Sequence, residues 1–296
     1  MSSSEPTYGG IVRASKRPEG WLPPGPTPAG PGDRHDLWPA KGEDLCFLTG
    51  SWRIFQRLKG HRYSLDDMMT AWTAAQKVQE HTLAVERAID IGCGIGSVLM
   101  MVAWHLPQAH MIGVEAQELS VGLARRSLAY NGIEGRVEVR HGDLREPAMV
   151  PESGGFDLVT GTPPYIPLGH GSISDKEQCG PCRFEFRGGI EDYCLAAKRL
   201  MRPHGLFVVC HSGSQAARVE AAAKAAELTL LTRRDVIPRE GREPLLAVYT
   251  MVHAHTQVPT PDGTPHRVEP PMVVRDAQGQ RTDDYLGVRA DMGMPP

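Results

Sequence analysis

A glycine-rich turn at residues 90–96 constrains the fold of this chain more than any other feature. The turn reads Asp-Ile-Gly-Cys-Gly-Ile-Gly and follows an apolar run, residues 84–91, that predicts a buried strand. The helical pattern of residues 97–105 begins directly after it. Glycine lets the backbone turn sharply and approach a ligand, and the following helix offers free N–H groups. The segment therefore predicts a strand–turn–helix unit that binds a ligand.

Strand and helix patterns alternate along the middle of the chain. This order predicts a doubly wound α/β fold, a mostly parallel seven-stranded sheet with helices on both faces. The last two strands have no helix between them, so we expect a C-terminal antiparallel hairpin. Besides the strand before the turn and the helix after it, the predicted strands are 109–115, 136–140, 156–161, 205–211, 228–237 and 245–253, and the predicted helices are 65–81, 118–131, 190–201 and 214–227.

Composition divides the 296 residues into one folded domain and two tails. Residues 1–44 and 254–296 are rich in proline and poor in aliphatic side chains, so we expect both to be disordered. Residues 45–253 are long enough to bury one sizeable core.

Several classes of protein are disfavoured by composition. The chain has no apolar run long enough for a transmembrane helix, and no secretory signal is expected from the polar residues at its start. Its six cysteines do not suggest a disulfide framework, and a cytoplasmic location is expected. The net charge of −3 argues against a strongly basic nucleic-acid coat protein but leaves room for a local basic face.

Two acidic residues follow the next two predicted strands. Glu115 ends the second strand and Asp143 follows the third, so both lie at the carboxyl edge where such sheets bind ligands. A carboxylate at the end of the second strand suits the ribose of an adenosine ligand. A dinucleotide fingerprint would require glycine at position 97, where this chain has Ser97. An NAD-type oxidoreductase is therefore disfavoured.

The spacing of the turn instead resembles the S-adenosylmethionine turn of Rossmann-like class I methyltransferases. The resemblance implies that S-adenosylmethionine is the cofactor. It also implies a role for each residue of the pattern. Glu115 would hold the ribose and Asp143 the adenine edge, while the turn would pass around the methionine moiety through Asp90, Gly92, Gly94 and Gly96.

A second motif, Thr162-Pro163-Pro164-Tyr165, follows the fourth predicted strand. The prolines fix the backbone, and the aromatic ring can stack on a planar group. The motif resembles the Asn/Asp-Pro-Pro-Tyr/Phe corner of methyltransferases that act on exocyclic or amide nitrogen, which implies that these four residues present the acceptor. Thr162 departs from the family pattern, because its hydroxyl has a shorter reach and lacks an amide carbonyl.

Residues 55–66 extend the resemblance. They look like the segment that precedes the core in bacterial tRNA(Val) adenine-N6 methyltransferases, and the likeness covers about residues 50–253. It implies that Ser64 and Asp66 lie near the cofactor. It also implies that Arg183 and Arg187, after the proline motif, contact the substrate.

The sequence thus predicts an N-methyltransferase acting on N6 of adenine in tRNA or another structured RNA. The same proline corner occurs in protein-glutamine methyltransferases, so a protein or small-molecule acceptor stays open. A non-catalytic module that binds the cofactor is a further alternative. No metal or membrane partner is expected, and Cys179 and Cys182 are interpreted as incidental loop cysteines, with a regulatory disulfide as the alternative.

Overall fold

A computed structural model describes residues 9–166, 184–256 and 267–296. The main sheet has eight strands and is flanked by helices on both faces. Its strands are β4 (Arg87–Ile91), β5 (His110–Glu115), β6 (Val137–His141), β7 (Phe156–Gly161), β8 (Met201–Ser212), β9 (Leu228–Ile237), β10 (Leu246–His253) and β11 (Arg267–Val273). They lie in the order β11-β9-β10-β8-β7-β4-β5-β6.

The pairing of these strands confirms the predicted fold class. Strands β6, β5, β4, β7 and β8 run parallel to their neighbours, whereas β10 is antiparallel to both β8 and β9. The expected C-terminal hairpin is therefore present. The strand count differs from the expected seven, because β11 adds a parallel strand at the edge beside β9.

Six helices cover the two faces of the sheet in the described parts of the chain. They are α1 (Leu65–Glu80), α2 (Ser97–His105), α3 (Glu118–Asn131), α4 (Ile190–Leu200), α5 (Ala216–Ala225) and α6 (Asp283–Asp291). Side chains of α1, α2 and α3 form one apolar core with one face of the sheet. Side chains of α4 and α5 form the second core on the other face. None of these helices is both long and apolar enough to cross a membrane.

Residues before α1 form a separate small sheet, made of β1 (Ile11–Val12), β2 (Glu43–Phe47) and β3 (Arg53–Arg57). Side chains of helix α3 form hydrogen bonds with the backbone of β3. The Phe55 N–H donates to Ser127 Oγ at 3.0 Å, and Asn131 exchanges hydrogen bonds with the backbone of Arg53. The expectation that residues 1–44 are disordered is therefore wrong for the described residues 9–44.

The C-terminal segment also packs on the core. Tyr285, Val288 and Met292 are buried around α6, and the Gly50 N–H donates to the carbonyl of Gly293 at 3.0 Å. The expectation of a disordered tail is wrong for residues 267–296, because β11 and α6 bury enough apolar surface to be ordered. Lys77 and Glu269 form a buried ion pair at 2.5 Å that ties α1 to β11.

Candidate active site

A cavity of about 450 Å³ opens at the carboxyl ends of β4, β5, β6 and β7. The residues directly after these four strands form its wall, as expected for a ligand site in a parallel sheet. Eleven residues that the sequence assigns to the site line this cavity. They are Ser64, Asp66, Gly92, Gly94, Glu115, Asp143, Thr162, Pro163, Pro164, Tyr165 and Arg187.

Two other predicted residues, Asp90 and Gly96, are not among the described residues of the cavity wall. Asp90 is 1% exposed and lies beneath the turn, where its carboxylate accepts hydrogen bonds from the Leu99 N–H at 3.1 Å and Thr160 Oγ1 at 2.8 Å. Burial raises the pKa of Asp90 to about 7. Asp90 therefore joins β4, β7 and the start of α2, and shapes the turn. Arg183 lies outside the described residues, as do Cys179 and Cys182.

The glycine turn has the backbone that a close ligand contact requires. Gly92, Gly94 and Gly96 have φ angles of +67°, +55° and +83°, a region that disfavours every residue with a Cβ. A Cβ on Gly94 would meet nothing within 4 Å, so this glycine faces open space at the wall of the cavity. A Cβ on Gly92 would instead collide with the hydroxyl of Tyr193, which α4 places over the turn.

Glu115 links the turn to the end of β5. Its carboxylate accepts hydrogen bonds from the Gly94 N–H at 3.0 Å and the Gln117 N–H at 2.6 Å. Burial raises the pKa of Glu115, and these two hydrogen bonds partly offset that rise. Each carboxylate oxygen has two lone pairs, so Glu115 can still accept from the hydroxyls of a ribose.

Asp143 follows β6 at the far wall of the cavity. Its carboxylate is bound by Arg145 at 2.6 Å, and this hydrogen bond holds the pKa of Asp143 below its ordinary value. Asp143 is therefore charged at neutral pH. A charged carboxylate can accept a hydrogen bond from the amino group of an adenine.

The proline motif follows β7 and lines the cavity on the other side of β4 from Glu115, which ends β5. The Tyr165 carbonyl accepts a hydrogen bond from Gln215 Nε2 at 2.8 Å, which holds the end of the motif to the segment before α5. The Tyr165 ring meets the His211 ring edge-on, with 5.9 Å between the ring centroids. His211 is fully buried, and burial lowers its pKa to about 4, so a neutral imidazole supports the tyrosine.

The start of α1 supplies the remaining wall. The Ser64 N–H donates to Asp67 at 2.8 Å, and Ser97 Oγ donates to the same carboxylate at 2.8 Å. These bonds fix the segment before α1 against the start of α2. The sequence motifs do not single out six polar or aromatic residues that also line the cavity: His61, Arg62, Asp67, Ser97, Gln117 and Tyr193. Most of them are close in sequence to assigned residues, whereas Tyr193 reaches the cavity only because α4 packs over the turn.

The groups in this cavity fit S-adenosylmethionine. The open backbone at Gly94 admits a ligand, Glu115 suits a ribose, and Asp143 suits an adenine edge. The described parts of the chain hold no cluster of three His, Cys, Asp or Glu side chains suited to a metal ion.

Comparison with known proteins finds methyltransferases among the similar sequences. Residues 73–172 match the family model described as "Methyltransferase small domain". The release factor glutamine methyltransferase of Mycobacterium leprae is 33% identical over 159 residues, which are 50% of this chain and 52% of that protein. The ribosomal protein uL3 glutamine methyltransferase of Bradyrhizobium diazoefficiens is 27% identical over 124 residues, 42% and 37% of the two chains.

Two further similar proteins are named as methyltransferases of other kinds. A 4-amino-L-phenylalanine/4-methylamino-L-phenylalanine methyltransferase of Streptomyces pristinaespiralis is 31% identical over 139 residues, 45% of this chain and 46% of that protein. The chain thus spans about half the length of the curated relatives it matches. The crystal structure of a "predicted O-methyltransferase" from Agrobacterium tumefaciens superposes with a TM-score of 0.55 at 18% identity, covering 78% of this chain and 98% of that one.

The structural match supports the fold, and the family match supports the cofactor. The segment of the family match begins within α1, contains the glycine turn, Glu115 and Asp143, and continues past the proline motif. The chain therefore has the Rossmann-like fold of S-adenosylmethionine-dependent methyltransferases, its residues 73–172 resemble a methyltransferase small domain, and this match supports S-adenosylmethionine as the cofactor.

Proposed function

We propose that this protein transfers a methyl group from S-adenosylmethionine to the side-chain amide nitrogen of a glutamine in a protein of the translation apparatus. The observation that carries the proposal is the shared cavity, which the proline motif lines together with the glycine turn and Glu115. The names of the release factor and uL3 relatives support the choice of acceptor.

Thr162 and Pro163 are the residues that would receive the acceptor amide. Both line the cavity, and each can offer an oxygen, the Thr162 hydroxyl and the Pro163 carbonyl, to one of the two amide N–H groups. Two such hydrogen bonds fix the plane of the amide and direct the nitrogen lone pair into the cavity. S-adenosylmethionine would supply an electrophilic methyl group and leave as the neutral thioether S-adenosylhomocysteine, while the methylated nitrogen gives up one N–H proton to solvent.

Tyr165 would hold the flat acceptor group from one side. Its ring is braced by His211, and its carbonyl is held by Gln215, so the ring position is set before the acceptor arrives. Positioning of this kind lowers the barrier because it removes the entropy cost of aligning two reactants.

The acceptor expected from the sequence, N6 of adenine in tRNA, would use the same two oxygens and the same aromatic ring. The motif alone therefore does not separate an amide from an adenine. The release factor and uL3 relatives favour glutamine as the acceptor. The similarity to the 4-amino-L-phenylalanine methyltransferase makes methylation of a small aromatic amine another outcome that the test must distinguish.

A methyl-transfer assay with three acceptor pools tests the proposal. The protein would be incubated with methyl-labelled S-adenosylmethionine and either unmethylated release factors with ribosomal proteins, total unmodified tRNA, or 4-amino-L-phenylalanine. We expect label in the protein pool, located on glutamine by peptide mass spectrometry. Label confined to N6-methyladenosine or to the small amine would overturn the proposed acceptor.

A further inference from the structure

Arg218 joins three side chains near the proline motif. It lies in the first turn of α5 and is not among the described residues of the cavity wall. Its guanidinium donates to both carboxylate oxygens of Glu185, at 2.6 and 2.9 Å, and to both of Glu191, at 2.7 and 2.8 Å. A fifth hydrogen bond goes to Gln215 Oε1 at 3.2 Å. A guanidinium has five N–H groups, so every donor of Arg218 is used, and a lysine ammonium, which has three, could not make all five bonds.

The hydrogen bond from Arg218 fixes the orientation of the Gln215 side-chain amide. A guanidinium can only donate, so the amide must turn its oxygen towards Arg218. The amide nitrogen then faces the Tyr165 carbonyl, to which it donates at 2.8 Å. With the amide reversed, two oxygens would face each other and the hydrogen bond to Tyr165 would be lost. Arg218 therefore decides whether Gln215 can hold the end of the proline motif.

Glu185 connects the same arginine to the residue that follows the motif. The Glu185 N–H donates to the Ile166 carbonyl at 3.2 Å, and Ile166 forms a parallel bridge with Phe184. The Glu185 side chain is largely buried, so its carboxylate would be costly to leave without a countercharge. Arg218 thus acts on Tyr165 through Gln215 and on Ile166 through Glu185.

The third partner, Glu191, belongs to the first turn of α4. The same helix carries Tyr193, which lies against the glycine turn. A Cβ on Gly189, directly before α4, would lie 2.8 Å from Arg218 Nη2 and 3.0 Å from the Glu185 carboxylate, so this ion pair packs closely on the start of the helix. One arginine therefore sets the position of the proline motif relative to both α4 and α5.

We propose that Arg218 is a positioning residue for the methyl acceptor, on which it acts through Gln215 and Glu185 without contacting it. The inference rests on the proposed function only in that the proline motif receives the acceptor, and it holds for an amide and an adenine alike. Glu115 and Asp143, which are assigned to the cofactor, follow β5 and β6 on the other side of β4 from β8 and α5. Replacement of Arg218 should therefore lower turnover and leave cofactor affinity unchanged.

Arg218→Lys is the main test variant. It keeps a positive charge between Glu185 and Glu191, so the fold should survive, which thermal unfolding would verify. Its ammonium has too few donors to hold Gln215 as well, so the motif loses its fixed position. Methyl transfer, measured on whichever acceptor pool the wild type methylates, should show a kcat lowered by about ten-fold or more. Titration calorimetry should show an unchanged dissociation constant for S-adenosylmethionine.

Further variants separate positioning from general stability. Gln215→Met removes the amide, keeps the length of the side chain and should also lower kcat. The Arg218→Lys and Gln215→Met double variant should lose less than the product of the two single losses, because both changes break one chain of contacts. Arg202→Lys is the matched control. Arg202 also binds two carboxylates, Asp157 at 2.7 Å and Glu86 at 3.4 Å, but it lies at the start of β8, away from the cavity, and its replacement should leave kcat unchanged.

Hydrogen exchange measured by mass spectrometry gives a readout that needs no acceptor. The backbone amides of Tyr165 and Ile166 should exchange faster in the two single variants than in the wild type, whereas those of the glycine turn should not change. A wild type that labels only adenine would overturn the proposed acceptor and leave this test intact. Unchanged exchange at the motif, an unchanged kcat or a matching loss of S-adenosylmethionine affinity would overturn the role of Arg218, because its ion pairs would then only stabilise the fold.

Discussion

At the scale of single residues, the glycine turn combines a backbone constraint with a packing constraint. Gly92 and Gly94 both have left-handed φ angles, so any side chain there strains the backbone. Their surroundings differ, because Tyr193 lies against Gly92 while open space lies beside Gly94. The sequence predicts the backbone constraint from spacing alone. It gives no sign of Tyr193, which is a hundred residues away on α4.

Alanine at these two glycines should therefore have separable effects. Gly92→Ala should lower the free energy of unfolding by about 1–3 kcal/mol more than Gly94→Ala, because only the first adds a collision with Tyr193. Gly94→Ala should mainly weaken S-adenosylmethionine, because its methyl group enters the cavity. Denaturant unfolding and titration calorimetry would measure the two effects. Equal loss of stability in both variants would contradict the assigned packing.

Thr162 should act on turnover and not on cofactor affinity. Thr162→Val keeps the shape and removes the hydroxyl acceptor, so kcat should fall by about three- to ten-fold, the worth of one hydrogen bond. Thr162→Ser keeps the hydroxyl and serves as the matched control. Methyl-transfer rates at saturating S-adenosylmethionine would be compared. A Val variant as active as the Ser variant would show that the hydroxyl does not bind the acceptor.

The raised pKa of Asp90 should make the stability of the fold depend on pH. Burial raises its pKa from the unfolded value of 3.8 to about 7, so the folded protein binds a proton more readily than the unfolded chain. Stability from this group is present below about pH 4 and is lost as the pH rises towards 7. Asp90→Asn can keep both hydrogen bonds without this titration.

The melting temperature of the Asn variant should therefore fall less between pH 5 and pH 7 than that of the wild type. The difference between the two decreases is the contribution of Asp90 titration. Both proteins would be scanned calorimetrically in the same buffers, because Asp67 also titrates in this range. Parallel pH profiles for the two proteins would show that Asp90 is not the titrating group.

At the scale of elements, helices and strands with a strong apolar periodicity could be predicted from the sequence, whereas elements in proline-rich segments could not. The helices Ser97–His105 and Glu118–Asn131 and the strands Phe156–Gly161 and Leu228–Ile237 have the predicted bounds. Strand β11 was missed because it contains Pro270 and Pro271, which disfavour a strand. The structure accommodates both prolines at the sheet edge, where the register with β9 shifts between Glu269 and Met272.

The buried charge of β11 gives a test at this scale. Glu269 is 4% exposed and pairs with Lys77 at 2.5 Å and Arg234 at 2.7 Å. Glu269→Ala should destabilise the fold by about 3–5 kcal/mol, because it leaves the buried Lys77 ammonium and the partly exposed Arg234 guanidinium without this partner. Glu80, whose side chain is 47% exposed, pairs with the same lysine, so Glu80→Ala should cost less than about 1 kcal/mol.

Urea unfolding of the two variants would compare these losses directly. A Glu269→Ala variant that is no less stable than Glu80→Ala would show that β11 contributes little to the core.

At the scale of the whole molecule, the main sheet and its ligand cavity could be predicted from the sequence. The packing of the segments before α1 and after β10 could not. The glycine turn, Glu115 and the proline motif lie at strand ends, where the topology itself brings them together. The two ends of the chain lack a repeating apolar pattern in the sequence, yet residues 9–44 and 267–296 pack on the core through a few contacts. Leu37 and Met292 are buried, and the carbonyl of Met292 accepts a hydrogen bond from Thr49 at 2.5 Å. Such contacts join residues far apart in the sequence, so no local pattern predicts them.

The most direct test of this account is whether the cavity binds S-adenosylmethionine through Glu115. Titration calorimetry would measure S-adenosylmethionine and NAD against the wild-type chain and Glu115→Gln. The account predicts one S-adenosylmethionine per chain, no binding of NAD, and an affinity weakened about ten-fold or more by the substitution. Absence of S-adenosylmethionine binding, or an affinity that Glu115→Gln leaves unchanged, would contradict it.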